Sequence, residues 1–354
     1  MYISIIGAGN GGQTMAGHFA LLGHKVTLYN IDRNAVSIIN NTKKIVLNEA
    51  ITGTAYLYNI TDNLNEAVNE AELIMITTTA DAHRELAEKM ARLLQDGQIV
   101  VLNPGRTLGA LDFANTLRAL VKTHVYIAEA QTLIYACRAE TTGNVRVIGV
   151  KDKVLLAAYP AKDTDYVLKK VNSVYNCFIK AENILRTSLE NIGAIFHPVI
   201  VLFNAAAIER GNQFFFYNDM TPAIANFIES VDSERLAIGK AYGVDLLSVN
   251  KWVSYAYKGI KGKNLCEKLK NNPAYYKILA PTTLYSRLLM EDIPTGLVPL
   301  IALGELAHVK TPLMASLVNI SQSLLGIDFT TTGRTLEKLS LKGSDIESFK
   351  NSLK

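Results

Sequence analysis

The chain has 354 residues, of which 49% are hydrophobic and 19% charged, with a formal net charge of +4 at neutral pH. This length suits two domains, and this composition allows sizeable buried cores and excludes intrinsic disorder. Nucleic-acid binding would need a dense basic stripe interleaved with aromatic residues, whereas the basic residues here are mostly scattered, so we expect no nucleic-acid partner.

The first predicted element is a β-α-β unit. An apolar run at 2–6 leads into the loop Gly7-Ala8-Gly9-Asn10-Gly11-Gly12, and a helical pattern separates this loop from a second apolar run at 26–29. Such a loop lets the backbone approach a pyrophosphate, whose oxygens bind the free N–H groups at the helix start. The pattern predicts a dinucleotide site, and the alternative is a tight turn without a ligand. The predicted cofactor-binding residues of this loop are Gly7, Gly9, Asn10, Gly11 and Gly12.

The residues after the second apolar run bear on the choice between NAD and NADP. A carboxylate there pairs with the ribose 2′-hydroxyl and repels a 2′-phosphate. Asn30 stands where an NAD enzyme usually has Asp or Glu, while Arg33 could reach a phosphate that Asp32 could oppose. We predict cofactor contacts from Asn30 and Arg33, with NADP slightly favoured over NAD. The alternative for Asp32 is a cap on the next helix.

Further short apolar runs alternate with helical patterns, at 73–76, 99–102, 125–128 and 145–150. This alternation predicts a mostly parallel, doubly wound sheet of the Rossmann type with helices on its faces. Ligands of such sheets bind at the carboxyl ends of the strands. Thr78, Asn103 and Gly105 follow two of these runs, so we expect them to line the nicotinamide side of the site. An ordinary turn at 103–105 is the alternative.

From about residue 187 the pattern changes to long helices. We therefore predict an α/β plus all-α protein, with a Rossmann domain over 1–184 and a helical substrate domain over 185–354. The segment Thr187-Ser188-Leu189-Glu190 fits a capping box, and the strongly apolar helix that it would open extends toward Gly211. Further helices are predicted at 221–242, 299–308 and 312–325.

The apolar helix carries one candidate catalytic residue, His197. It directly precedes Pro198, and a proline inside a helix removes a backbone hydrogen bond and bends the helix. Burial lowers the pKa of an imidazole and a nearby carboxylate raises it, which poises such a side chain for proton exchange near neutrality. The alternative is a histidine of the core with structural hydrogen bonds only.

The stretch from Arg287 to Pro294 places charged residues in an apolar neighbourhood, where burying them unpaired would be costly. An arginine fork matches a substrate carboxylate, and a carboxylate five residues later could orient an imidazole. A structural ion pair between the arginine and an acidic neighbour is the alternative.

Together these residues resemble the opine dehydrogenases, the family that includes octopine and nopaline dehydrogenases, over nearly the whole chain. The resemblance rests on the glycine loop and on three more specific motifs, TLIYACR at 132–138, NIGAIFHP at 191–198 and EDIP at 291–294. It implies that His197 is the catalytic acid/base, that Asp292 supports it and that Arg287 holds a substrate carboxylate. Ile134 departs from the family pattern, in which we expect proline.

The resemblance also implies an NAD(P)-dependent oxidoreductase acting on CH–NH bonds. An amino acid and a 2-oxo acid such as pyruvate would condense to an imine and accept a hydride, which yields an opine, a secondary amine dicarboxylate. One alternative is a 2-hydroxyacid or sugar-phosphate dehydrogenase of the same two-domain plan, although relatives of that kind typically use a lysine where this helix offers His197. The other is a non-catalytic dinucleotide sensor with a partner-binding helical half.

The remaining features exclude other classes. The cysteines lie far apart without C-x-x-C spacing, which is typical of a reducing compartment, and no metal-ligand spacing is present, so we expect no metal. No apolar stretch reaches about 18 residues and the first apolar run is short, so we expect a cytoplasmic protein without a membrane partner. A homodimer is compatible with a helical second domain, but no heptad seam marks an interface.

Overall fold

The computed structural model describes residues 1–257 and 259–354, which form two compact units. Unit 1 consists of Met1–Ser188 and Asn351–Lys354, and unit 2 consists of Leu189–Lys350. The sequence predicts domains over 1–184 and 185–354, whereas the first compact unit extends to Ser188 and also includes residues 351–354.

Backbone hydrogen bonds hold the last residues in unit 1. The amides of Ala161 and Lys162 donate to the carbonyls of Leu353 and Lys354, at 2.7 and 3.0 Å. The side chain of Leu353 is only 1% exposed. These residues are therefore an integral part of the unit and not a loose tail.

The strands of unit 1 are, in chain order, β1 (Tyr2–Ile6), β2 (Lys25–Tyr29), β3 (Lys44–Glu49), β4 (Gly53–Tyr56), β5 (Asn59–Thr61), β6 (Leu73–Ile76), β7 (Ile99–Leu102), β8 (Tyr126–Ala130), β9 (Tyr135–Thr141), β10 (Asn144–Val150), β11 (Val154–Tyr159) and β12 (Phe178–Lys180). Eight of them form one sheet in the order β12-β11-β8-β7-β6-β1-β2-β5. All neighbours in this sheet are parallel except β8 and β11. The predicted Rossmann fold class is confirmed.

The centre of this sheet is covered on both faces. In register, Ile5 of β1 lies between Leu28 of β2 and Met75 of β6. Every residue of β6 and β7 is buried, as expected for strands packed on both sides. The tips of β1, β6 and β7 are thereby fixed next to one another at one edge of the sheet.

A second sheet corrects one prediction. The apolar run at 145–150 is β10, but it belongs to a four-stranded sheet of order β4-β3-β10-β9 and not to the parallel sheet. Val145 and Val147 are buried while Arg146 and Ile148 are exposed. This alternation is typical of a sheet with one solvent-facing side, whereas strands of a covered parallel sheet are apolar throughout.

The helices that lie in unit 1 or reach its boundary are α1 (Asn10–Leu21), α2 (Arg33–Asn40), α3 (Leu64–Val68), α4 (His83–Met90), α5 (Gly109–Leu120), α6 (Thr164–Asn172) and α7 (Ile184–Leu189). Those of unit 2 are α8 (Gly193–Phe203), α9 (Ala205–Glu209), α10 (Pro222–Tyr242), α11 (Val249–Ala256), α12 (Leu265–Lys270), α13 (Arg287–Met290), α14 (Val298–Leu306), α15 (Pro312–Leu325) and α16 (Phe329–Thr332), with a π-helical turn at Ile293–Leu297. The last helix, α17 (Ile346–Ser352), begins in unit 2 and ends in unit 1. None of the helices in the described part of the chain is long and apolar enough to cross a membrane.

The predicted capping box is wrong. Thr187 lies inside α7, and its hydroxyl donates to the Glu129 carboxylate at 2.5 Å. The apolar helix α8 begins only at Gly193, and it ends at Phe203, before the predicted end near Gly211. A buried carboxylate from unit 1 thus competes successfully for the hydroxyl that the local sequence pattern assigns to a helix N-terminus.

Candidate active site

The glycine loop joins β1 to α1 in a conformation that only glycine allows at two positions. Gly7 has a positive φ of 107°, and a Cβ on Gly12 would lie 1.7 Å from the Gly7 carbonyl oxygen. At Gly9, by contrast, a Cβ would meet no atom within 4 Å. The loop is therefore closely packed at Gly7 and Gly12 and open at Gly9. This arrangement fits a backbone that a diphosphate can approach.

Asn10 and Gly11 contact the protein as well. The Asn10 side-chain oxygen accepts a hydrogen bond from the Ala139 amide at 3.0 Å, which ties β9 to the start of α1. A Cβ on Gly11 would lie 2.7 Å from the Leu133 side chain. Asn10 and Gly11 thus hold the segment after β8 against the first turn of α1. This segment lines the predicted cofactor site next to these two residues.

Two predicted residues at strand tips carry polar atoms without partners. Asn103, at the end of β7, is 1% exposed, and neither its amide nitrogen nor its amide oxygen has a hydrogen bond among the described residues. The Thr78 hydroxyl after β6 is also buried and unbonded within that part of the chain. Since buried polar groups are nearly always hydrogen-bonded, these atoms fit a polar ligand such as a ribose or a carboxamide.

Gly105, the third residue predicted at these strand tips, packs against a buried acid. A Cβ there would lie 2.5 Å from the Cβ of Glu129, whose carboxylate is fully buried. This carboxylate also accepts hydrogen bonds from the Ala110 amide at 2.8 Å and the Ser188 hydroxyl at 3.0 Å. Gly105 makes room for this buried acid, which the sequence analysis missed because nothing in the apolar strand β8 signals its partners.

At the tip of β2 the structure assigns Asp32 to capping. Its carboxylate accepts a hydrogen bond from the Asn34 amide at 2.9 Å and begins α2. Arg33 is 88% exposed and pairs with Asp62 at 2.8 Å. Asn30 bonds through its backbone amide to Thr61. The one carboxylate of this segment, that of Asp32, is thus engaged through one oxygen in capping α2.

The candidate catalytic dyad lies in unit 2. His197 Nδ1 is 2.6 Å from Asp292 Oδ2, and their side chains are 16% and 1% exposed. An ionised carboxylate only accepts hydrogen bonds, so the proton of the neutral imidazole is on Nδ1 and Nε2 presents a lone pair. The structure brings together two of the three predicted catalytic residues, although 95 positions separate them in the chain.

Features of the two local segments explain the contact between His197 and Asp292. His197 lies in the middle of α8 beside Pro198, and Asp292 directly precedes the π-helical turn Ile293–Leu297. A Cβ on Gly296, within that turn, would lie 2.4 Å from the Cβ of Ala194. The absence of a side chain at Gly296 lets the turn pack closely against the start of α8, and π-helical turns are frequent at functional sites.

Tyr217 is a third partner of the dyad, and the sequence analysis missed it. Its hydroxyl is 3.3 Å from His197 Nε2. Burial raises the pKa of Tyr217 well above its usual value, and the charge of Asp292 adds to this while that of Arg287 opposes it. The phenol therefore stays protonated and can donate to the imidazole lone pair.

An aromatic cluster holds Tyr217 in place. Its ring stacks on Tyr275 at 4.0 Å, and Tyr257 contacts Tyr275 edge-on at 5.1 Å. Phe216 lies edge-on to His197 at 5.9 Å, and its amide donates to the Ile278 carbonyl at 2.7 Å. The four consecutive aromatic residues at 214–217 are the sequence signal that could have indicated this aromatic cluster.

Arg287 differs from the expectation of a buried charge. Its side chain is 62% exposed and lies 3.4 Å from Glu291, which is 4% exposed. The ion-pair alternative thus describes what the structure shows, with Glu291 and not Asp292 as the partner. The long distance and the exposure leave guanidinium donors facing solvent, where they can bind an anion.

The chemistry available at the dyad is proton transfer. His197 can accept or return a proton at Nε2, and Asp292 holds the other nitrogen. No group of His, Cys, Asp and Glu side chains among residues 1–257 and 259–354 could hold a metal ion.

Family models match both halves of the chain. Residues 180–325 match the model of the α-helical domain of NAD/NADP octopine/nopaline dehydrogenase. Residues 2–108 match the model of the N-terminus of NAD-dependent glycerol-3-phosphate dehydrogenase. The second match covers part of the dinucleotide-binding unit only.

Whole-chain comparisons give the same result. The chain is 37% identical to an opine dehydrogenase of Arthrobacter sp. (strain 1C) over 96% of its own length and 95% of that protein. It is also similar in structure to octopine dehydrogenase with NADH and L-arginine, at a TM-score of 0.80 and 20% identity, over 99% of this chain and 97% of the other. Octopine dehydrogenase with NADH and pyruvate gives a TM-score of 0.75 at 19% identity, over 100% and 98%.

Proposed function

Because the chain belongs to the opine dehydrogenase family of NAD(P)-dependent oxidoreductases, we propose that it reduces the imine of an amino acid and a 2-oxo acid such as pyruvate to an opine. The observation that carries this proposal is His197 held between Asp292 and Tyr217. A histidine whose Nδ1 is fixed by a carboxylate suits a reaction that must move protons during condensation and reduction.

When bound, the cofactor supplies the hydride. The residues of unit 1 that would hold it are Gly7, Gly9 and Gly12 of the loop together with Thr78 and Asn103, whose unsatisfied polar atoms fit this group. We propose a slight preference for NADP, because Asp32 is used as a helix cap and Arg33 is exposed. An exposed ion pair such as that of Arg33 with Asp62 is worth about 1 kcal/mol or less, so a 2′-phosphate could displace it.

In the proposed mechanism His197 works from its Nε2 atom, from which the Tyr217 hydroxyl turns away to admit the substrate. His197 accepts a proton from the ammonium group of the amino acid, and the free amine then attacks the 2-oxo acid. A second nitrogen-bound proton passes to the oxygen and gives the carbinolamine, and His197 returns its own proton to the departing hydroxyl, which leaves as water and yields the protonated imine. Asp292 holds Nδ1–H throughout and stabilises the imidazolium that forms between these steps. The water-poor surroundings of Asp292 strengthen this interaction.

Arg287 has the proposed role of binding a carboxylate of the 2-oxo acid. We expect Arg287→Gln to raise the KM for the 2-oxo acid by about 10- to 100-fold, as for loss of a charge-assisted hydrogen bond, with a smaller effect on kcat. Arg210→Gln removes the same charge from another exposed arginine of unit 2 and serves as the control. An unchanged KM in the Arg287 variant would show that the ion pair with Glu291 is its whole role.

Tyr217 has the proposed role of positioning the imidazole. Tyr217→Phe keeps the ring but removes the hydroxyl that lies 3.3 Å from Nε2, and we expect kcat to fall by about 2- to 12-fold, the value of one neutral hydrogen bond. Tyr275→Phe keeps the stacking and removes a hydroxyl from the neighbouring ring. Steady-state kinetics at several pH values should show a changed pH profile for the first variant only.

The proposed function is tested by a matrix of amino acids and 2-oxo acids with NADH and NADPH, in which cofactor oxidation is followed by absorbance and products by mass spectrometry. We expect oxidation that requires both organic substrates and a product containing both carbon skeletons. Oxidation with a 2-oxo acid alone would instead indicate a 2-hydroxyacid dehydrogenase. Cofactor binding without turnover across the matrix would indicate a dinucleotide sensor.

A further inference from the structure

Lys151, in the loop between β10 and β11, is anchored on the segment after β8. Its ammonium donates to the Thr132 hydroxyl at 2.8 Å and to the Leu133 carbonyl at 3.0 Å. Its backbone amide donates to the Ile134 carbonyl at 2.8 Å. The ammonium and the backbone amide of Lys151 are therefore both held by three consecutive residues, which restricts the rotamers of this long side chain.

The same segment touches the cofactor loop. The Leu133 side chain lies against Gly11, and the Cys137 thiol of β9 is hydrogen-bonded to the Thr14 side chain of α1. The charge of Lys151 acts on the pKa of that thiol, so the ammonium lies within electrostatic range of the first turns of α1. This helix start, with its free N–H groups, is where a diphosphate binds in a Rossmann fold.

The charge of Lys151 is not balanced by an acid. Both acceptors of its ammonium are neutral, and no carboxylate pairs with it within residues 1–257 and 259–354. Although Lys151 is an exposed residue, desolvation by the protein atoms around it, together with the positive charge of Arg106, lowers the pKa of Lys151 to about 8. A third N–H of the ammonium remains available for a ligand.

We propose that Lys151 is a phosphate-binding residue of the dinucleotide site, whose ammonium, fixed by Thr132 and Leu133, donates to an oxygen of the cofactor diphosphate. A bound phosphate supplies the missing negative charge and favours the protonated amine. The proposal rests on dinucleotide binding and not on the choice of amine or 2-oxo acid.

A consequence is proton uptake on cofactor binding. The free enzyme loses the Lys151 proton around pH 8, whereas the complex keeps it to higher pH because the phosphate raises that pKa. Below pH 8 the lysine is charged in both states and the Kd is constant; above pH 8 the Kd rises by up to about tenfold per pH unit. Arg106 stays charged in this range, and burial raises the pKa of Cys137, so neither produces this dependence.

The experiment measures binding of NADH and NADPH to the substrate-free protein by nucleotide fluorescence between pH 6.5 and 9.5, and proton uptake by calorimetry in two buffers. For Lys151→Met we expect about tenfold weaker binding at pH 7 and loss of the alkaline dependence. Lys151→Arg should bind tightly without that dependence, since guanidinium does not titrate. Lys153→Met, an equal charge change two residues away on an exposed side chain, should match the unaltered protein.

Two results would overturn the proposal. One is a Lys151→Met protein that binds both nucleotides with unchanged affinity and pH dependence. The other is unchanged nucleotide affinity with a raised KM for the 2-oxo acid, which would assign the ammonium to a substrate carboxylate. Because the binding measurements need no turnover, they stand even where the substrate matrix fails to yield an opine.

Discussion

Replacing His197 by Ala is expected to lower kcat by about 10²- to 10⁴-fold, the usual contribution of a positioned acid/base, while reduced cofactor still binds to the protein. The reason is that His197 presents the proton-transfer atom, Nε2, and Asp292 contacts only the other nitrogen. Stopped-flow measurement of cofactor oxidation, with fluorescence titration of cofactor binding, separates the two effects.

The Ala substitution also leaves the buried Asp292 without its 2.6 Å hydrogen bond. His197→Asn is therefore a useful companion, because its amide can still donate to the carboxylate but cannot exchange protons as an imidazole does. Equal losses of turnover in both variants, with an unfolding temperature close to normal for the Asn variant, would assign the loss to chemistry. Turnover near the normal rate in either variant would remove His197 from the mechanism.

The second large effect is expected for Asp292→Asn, with a loss in kcat of order 10²- to 10⁴-fold. The amide has nearly the same shape but offers an N–H₂ group that can pair with Nδ1 in the opposite tautomer, and its neutral charge no longer stabilises an imidazolium. Since Asp292 is 1% exposed, solvent screens this charge little.

Glu291→Gln provides the matched control, because it removes a charge of the same sign from the adjacent, 4% exposed side chain. We expect this variant to retain most of its turnover once its stability has been checked by thermal unfolding. If it lost as much as the Asp292 variant, the effect would be one of general charge in the segment and not of the dyad.

The sequence was sufficient for the parts of the site that depend on local spacing. The loop from Gly7 to Gly12 predicts its own strand and helix because Gly7 and Gly12 each have a steric reason, and the helix at 221–242 begins after a Thr221 cap and ends before Gly243. His197 and Asp292 could be paired only through the family resemblance, since no local pattern reports a contact across 95 positions.

Other contacts could not be predicted because they depend on tertiary competition. Thr187 satisfies a capping pattern, yet a fully buried Glu129 binds its hydroxyl. The segment that carries Tyr217 is held by an isolated β-bridge between Phe215 and Leu279. This pairing is too short to leave a periodic signal in the sequence. Arg287 looked buried by composition, but its position at the start of the short helix α13 exposes it.

The return of residues 351–354 to the first unit has a practical consequence for dividing this protein. A fragment that stops at 188 would lack both carbonyl acceptors used by Ala161 and Lys162 and the buried Leu353 side chain. A fragment meant to bind nucleotide by itself should therefore join residues 351–354 to residue 188 through a flexible linker. An affinity tag is better placed at the N-terminus.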